Sequence, residues 1–236
     1  MKTSDVIILS PDGLEFEAVL ELVSAVGHRL YGVKVHDLYD AYGPEVVARL
    51  REAGAARVWY DGKFHDIPNT VGLRARAVGK GAEPRKGVDI LTVHASGEID
   101  MMMEAVKNGP EEVYAITVLT SLDGELTHLI YGQPPKAAVL YLARLAKLAG
   151  VQGVVCSAEE VAMLAKRPEL QGLKFVVPGT RSAGKDAGDQ KRTGTPAKAI
   201  EDGAHHLVIG RQVVKATDPL AALDELEEEI TAALAA

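Results

Sequence analysis

Asp61 and Lys63 stand two residues apart, just after the run Arg57-Val58-Trp59-Tyr60. On an extended segment that spacing turns both side chains to one face, so a carboxylate and an ammonium lie side by side. Lys34, near the end of another apolar run, adds a second cation if the two runs are neighbours. Alternating Lys and Asp groups keep one another charged in a partly dry site, because opposite charges offset desolvation. Such an array suits electrostatic work on a small bound anion; it reads equally as a structural ion pair at a rim. Other short apolar runs also end in polar groups: Asp12 after the first, His94 after the fourth and Thr120-Ser121 after the fifth. Ser157 follows the sixth, Pro178-Gly179 the seventh and Gly210-Arg211 the eighth.

The runs themselves are the elements that must place these groups. They are Val6 to Leu9, Tyr31 to Val35, Arg57 to Tyr60, Ile90 to Val93, Val113 to Leu119, Gly153 to Cys156, Lys174 to Val177 and Leu207 to Gly210. Near-continuous apolar character is expected of parallel strands covered on both faces. Stretches with helical period lie between them: Leu14 to Ala25, Pro44 to Ala53, Pro134 to Ala149, Ala158 to Ala165 and Pro219 to Ala235. Pro44 and Pro219 suit a first turn, and Gly27, Gly54 and Gly150 suit helix ends. Eight units of about 30 residues predict an α/β fold, a (β/α)8 TIM barrel over residues 1–236 as one domain. A doubly wound sheet is the structural alternative, but no glycine-rich dinucleotide fingerprint follows the first run. The one long irregular stretch, Gly179 to Gly194, has the length of a lid or binding loop. In a barrel, the ends of the runs form the active-site face.

Composition narrows the ligand. Apolar residues make up 47% and charged residues 25%, so a disordered or fibrous chain is not expected. A net charge of −7 argues against a broad nucleic-acid surface and leaves room for a small anion held by local cations. The single cysteine, Cys156, makes an intrachain disulfide impossible and reads as a buried strand residue. No signal-like amino terminus and no apolar stretch of roughly 20 residues is present, so a cytoplasmic protein without membrane contact is expected. His205 and His206 are adjacent and on a strand face opposite ways, so they do not form a metal pair. His94 reads as a structural hydrogen-bonding residue, Lys80 to Lys86 as a solvated loop, and Met101 to Met103 as helix and core. Phosphate is often bound by the loops after barrel strands seven and eight. Gln190, the backbone N–H of Gly210 and the bidentate guanidinium of Arg211 fall there.

Asp61-Gly62-Lys63-Phe64-His65-Asp66-Ile67-Pro68-Asn69-Thr70 closely resembles the Asp-x-Lys-x-x-Asp signature of the orotidine 5′-phosphate decarboxylases, in the form of their bacterial branch. Val93-His94-Ala95-Ser96, Thr117 to Ser121, Gly153 to Ala158, Gly188 to Arg192 and Val208 to Arg211 resemble further blocks of that family, in order. The resemblance implies a dimeric barrel that converts orotidine 5′-monophosphate to uridine 5′-monophosphate without metal or organic cofactor. It assigns Lys63 as proton donor to C6 of the pyrimidine and Asp61 to the vicinity of the departing carboxylate. Lys34 completes the charged array, and Asp66 and Thr70 reach into the partner subunit's site. Asp12 and Lys34 contact ribose hydroxyls, Ser157 the pyrimidine ring, and Thr120 the same pocket. Pro178, Arg181, Gln190, Gly210 and Arg211 complete the substrate-binding set, with the loop from Gly179 closing over phosphate.

Three positions depart from the family pattern. Leu9-Ser10-Pro11 stands where Ala-Leu usually precedes the acid, and Pro11 fixes φ and removes a donor, so a different path into the ribose loop is expected. His36 stands where glycine is common and either crowds the second loop or points outward. Gly62 is expected to loosen its strand slightly. Two other readings keep the barrel. One is a metal-dependent sugar-phosphate decarboxylase or hexulose-phosphate synthase using Mg2+, and the other a non-catalytic nucleotide-binding barrel.

Overall fold

Eight short parallel strands close on one another in the computed structural model, which describes residues 2–182 and 194–235. They are β1 (Ile7–Leu9), β2 (Gly32–Val35), β3 (Val58–Phe64), β4 (Ile90–His94), β5 (Glu112–Ile116), β6 (Gly153–Val155), β7 (Lys174–Pro178) and β8 (His206–Ile209). Each pairs with the next in chain order, and β8 pairs back onto β1. Closure removes both sheet edges and excludes the open, doubly wound arrangement.

The apolar runs fill two separate layers. Ile8, Trp59, Ile90, Tyr114, Ile116, Val155, Val176 and Val208 pack together inside the barrel. Their strand neighbours, such as Ile7, Leu9, Val33, Val58, Leu91, Val113, Val154 and Val177, face the surrounding helices. Each strand is therefore buried on both sides, which explains its lack of polar alternation. The run expected to reach Leu119 stops as a strand at Ile116. Its last partners are His94 on β4 and Val155 on β6, where both neighbouring strands also end. β3 instead continues past Tyr60 to Phe64, through a shift in its pairing with β4.

The expected helices form at Phe16–Val26, Glu45–Glu52, Pro135–Leu148, Ala158–Ala165 and Pro219–Leu234. Two further long helices, Pro68–Val78 and Glu98–Asn108, pack against each other. The first buries only Val71, Gly72 and Ala75, small residues that leave a faint hydrophobic period. A side chain at Gly72 would press against the carboxylate of Glu104 on the second helix. Met101 and Met102 are core residues, whereas Met103 is half exposed. No helix among the described residues is long and apolar enough to cross a membrane.

The end of the barrel away from the strand carboxyl termini is plugged by polar groups. Glu112 accepts hydrogen bonds from Tyr31 (2.5 Å), Lys174 (2.8 Å) and Tyr114. Burial pushes its carboxyl up, but these donors outweigh burial and hold it below the ordinary glutamate range. With that end closed, access to the interior is left to the opposite end.

Candidate active site

The period of two along a strand decides what reaches the open end. Inward positions on β2 are Gly32 and Lys34, because Val33 and Val35 belong to the outer layer. On β3 the inward residue after Trp59 is Asp61. Both charged residues thus sit one step above the apolar inner layer, at the floor of a cavity of about 440 Å³. Ile116, Val118, Val155 and Val208 form its apolar wall.

Four charged groups run across the floor in alternating sign. Lys63 Nζ is 2.8 Å from Asp61 Oδ2, Lys34 Nζ is 3.1 Å from the same oxygen, and Lys34 lies 3.8 Å from Asp12 Oδ1. Asp61 and Lys34 are buried. Burial pushes the Asp61 carboxyl up, yet the adjacent Lys34 and Lys63 ammonium groups prevail and hold it below the ordinary aspartate range. Carboxylate and ammonium lie side by side, as expected, but not by way of an extended segment.

Strand alternation alone does not produce that contact. Lys63 takes φ +45°, a left-handed conformation costing a lysine about 1 kcal/mol. It lies within the pairing irregularity of β3, between Tyr60 and Phe64. Gly62 does not merely loosen the strand. Its hydrogens face the rings of Tyr60 and Phe64, and a Cβ would lie 2.7 and 2.8 Å from them. Glycine is the residue that lets the two rings meet edge to face while the chain turns Lys63 into the cavity.

Asp12 reaches the cavity despite Pro11. Leu14 N–H closes a turn on Pro11 O at 3.4 Å, and Gly13 supplies its positive φ of +80°. Ser10 Oγ lies 2.9 Å from both Asp12 oxygens. His36 points inward: its Nε2 is 3.1 Å from Asp12 Oδ1, and it lines the cavity. The outward alternative is thereby excluded. Burial raises the Asp12 carboxyl, but His36, Lys34 and Ser10 together draw it down to about 2. The same contact raises the His36 imidazole, against the opposing effects of burial and Lys34.

The far wall is cationic. Arg181, Arg211 and Lys215 line it with Pro178, Gly179 and Gly210. Arg211 begins the short helix Arg211–Val214 and Lys215 follows at its end, four residues on, so both lie on one side. Ser10, Trp59, His36 and Lys215 also line the cavity, although none of them was expected as a site residue. For Lys215 the readable signal was its spacing from Arg211. Thr120 also lines the cavity. Gln190, expected among the phosphate ligands, lies outside the described residues, as does most of the loop from Gly179.

Three expected site residues stand apart within this chain. Ser157 is wholly buried, and its hydroxyl is hydrogen-bonded to the carboxylate of Glu160 rather than facing the cavity. Ser157 is thus not among the residues that line the cavity. Ser157-Ala158-Glu159-Glu160 is a capping box, and Ser157 serves as the N-cap of helix Ala158–Ala165. Asp66 is exposed and accepts the N–H of Ile67 at 2.7 Å, while Thr70 lies on the next helical turn, partly exposed; neither lines the cavity.

His205 and His206 diverge. His205 Nδ1 accepts the Phe175 N–H, whereas His206 stacks on Tyr31 inside the barrel. His94 sits beside His65, and burial, with His65 and Lys63 nearby, lowers its imidazole. Among the described residues, no three His, Cys, Asp or Glu side chains are grouped to hold a metal ion.

Comparison with known proteins places this geometry. The pattern of the orotidine 5′-phosphate decarboxylase / HUMPS family matches residues 5–226. An orotidine 5′-phosphate decarboxylase of Pseudoalteromonas translucida is 41% identical over 95% of this chain and 96% of its own length. That of Idiomarina loihiensis is 44% identical over 89% of this chain and 91% of its own. The crystal structure of orotidine 5′-phosphate decarboxylase from Lactobacillus acidophilus superposes with a TM-score of 0.77 at 30% identity, covering 96% of this chain and 99% of that one.

Proposed function

The chain belongs to the orotidine 5′-phosphate decarboxylase / HUMPS family, and from that membership and its site we propose that it decarboxylates orotidine 5′-monophosphate to uridine 5′-monophosphate in pyrimidine biosynthesis. The observation that carries this reading is the unbroken series Asp12, Lys34, Asp61, Lys63 on one side of a cavity whose other side bears Arg181, Arg211 and Lys215. One side suits a ribose and a reacting carbon, the other a phosphate, with apolar residues between them for a flat ring.

In this reading the C6–carboxylate bond breaks with both electrons left on C6, and CO2 departs. Lys63 Nζ gives its proton to C6, forming the new C–H bond, and the resulting amine recovers a proton from water. Asp61 faces the substrate carboxylate and disfavours that charge, which disperses as CO2 forms. Lys34 keeps Asp61 ionised and, with Asp12, contacts ribose hydroxyls. Thr120 and Pro178 border the pyrimidine, and Gly210 and Arg211 hold the phosphate. The reaction needs no metal or organic cofactor.

An absorbance assay for consumption of orotidine 5′-monophosphate is the direct test. Turnover unaffected by EDTA is expected. Activity lost to EDTA and restored by Mg2+ would replace this reading with the metal-dependent sugar-phosphate one. Binding of uridine 5′-monophosphate without turnover would replace it with a non-catalytic nucleotide-binding barrel.

The reading includes a homodimer. Asp66 is exposed beside Ile67, which with Leu73 on the same helix and Met103 on the adjoining one leaves large apolar groups exposed. A second copy covering this face would receive Asp66 and Thr70 at its own cavity. Mixing inactive Lys63→Ala with inactive Asp66→Ala under conditions that exchange subunits is then expected to restore activity, since a hybrid pair contains one intact site. No recovery after exchange confirmed by mass would rule out the shared site.

A further inference from the structure

We propose that His36 is a positioning residue for the ribose end of the site: it fixes the Asp12 carboxylate so that one oxygen is presented to a substrate hydroxyl. The inference rests on the nucleotide reading given above.

The imidazole is held from both sides. Nδ1 accepts the backbone N–H of Asp37 at 2.7 Å, which places the ring proton of the neutral form on Nε2. Nε2 is the atom that faces Asp12 Oδ1, at 3.1 Å. In that tautomer Nε2–H is the ring's donor and its group nearest the Asp12 carboxylate.

Asp12 needs that support. Its side chain is 48% exposed, and Lys34 Nζ is 3.8 Å from it, beyond hydrogen-bond reach. Without His36, the hydroxyl of Ser10 would be the remaining hydrogen-bond donor shown to it. A carboxylate tied by one freely turning hydroxyl can rotate about its own bonds. One tied on two sides presents a fixed lone pair, as a ribose hydroxyl requires. His36 also caps the helix Asp37–Tyr42, so the ring that orients Asp12 is itself fastened to a rigid element.

The test compares binding of uridine 5′-monophosphate with that of its 2′,3′-dideoxy analogue, in the parent, His36→Ala, His36→Gln, His36→Asn, Asp12→Ala and the double variant His36→Ala/Asp12→Ala. His36→Ala should weaken binding of the ribonucleotide about tenfold, the scale of one hydrogen bond to a charged group, and leave the dideoxy analogue unchanged. In the assay KM should rise with kcat nearly constant. Gln places an amide N–H near the Nε2 position and should restore binding; Asn, which reaches only as far as Nδ1, should not. In the Asp12→Ala background the His36→Ala change should have no further effect.

Equal losses for both nucleotides, no loss for either, or a full effect retained without Asp12 would each overturn the proposal. Failure of the decarboxylase reading looks different: the parent would bind uridine 5′-monophosphate yet show no turnover, and the binding comparison would still decide the role of His36. A parent that binds neither nucleotide would overturn both.

Discussion

Lys63→Ala is expected to lower the rate of decarboxylation at least ~10³-fold, within the range attributed to a well-placed proton donor. The variant should nevertheless fold and bind uridine 5′-monophosphate. Asp61, which loses one partner, keeps Lys34 at 3.1 Å, so its buried carboxylate is not left without a counter-charge. Lys63 is more exposed than either, at 38% for its side chain, and truncating it opens no buried cavity. Removing the left-handed lysine does not remove the turn, because Gly62 and the flanking rings still shape it. Single-turnover rates, paired with calorimetric binding of product, separate loss of chemistry from loss of the site. A variant that retains more than about a tenth of the parental rate would take the proton-donor role away from Lys63.

Arg211→Ala carries the second large effect, on binding rather than on the reacting carbon. A bidentate guanidinium–phosphate contact comprises two charge-assisted hydrogen bonds of about 1.5–3 kcal/mol each before losses are shared. Arg181 and Lys215 line the same wall and take up part of the phosphate charge, so kcat/KM should fall about 10²-fold rather than further. Arg211→Lys should recover only a part of this, since a point charge does not reproduce the planar fork. The decisive control is orotidine without its phosphate, whose slow turnover should be the same in parent and variant. If that turnover also falls, Arg211 acts on the barrel and not on the phosphate. Because remote binding energy supports the chemical step, some of the loss for the full substrate should appear in kcat.

The barrel was legible because its evidence is local and repeated. Eight apolar runs separated by amphipathic stretches admit few arrangements, and each run observed as a strand lies within two residues of its expected start. The helix Pro68–Val78 was hidden for an equally local reason: its buried face is made of Val71, Gly72 and Ala75, too small to mark a period. Asp61, Lys63 and Lys34 were legible as a cluster because parallel strands in chain order bring β2 and β3 together. Ser157 shows the reverse case. Its place at a strand end suggested the cavity, while the Ser-x-x-Glu spacing carried a competing signal, and the helix cap took the hydroxyl.

The sequence by itself indicated an α/β chain of eight strand–helix units, the strand ends at which charge collects, and the neighbouring Lys and Asp groups of the second and third strands. These follow from periods of two and of about 3.6 residues, which each segment carries on its own. Only the tertiary structure decided that His36 turns inward to Asp12, that Lys63 enters the cavity through a left-handed backbone, and that Lys215 joins Arg211 and Arg181 on one wall. Those outcomes depend on which loops stand next to one another above the barrel. A side chain's direction there is set by contacts made across the chain, such as a ring nitrogen meeting a carboxylate from another strand's loop, and no local period encodes them.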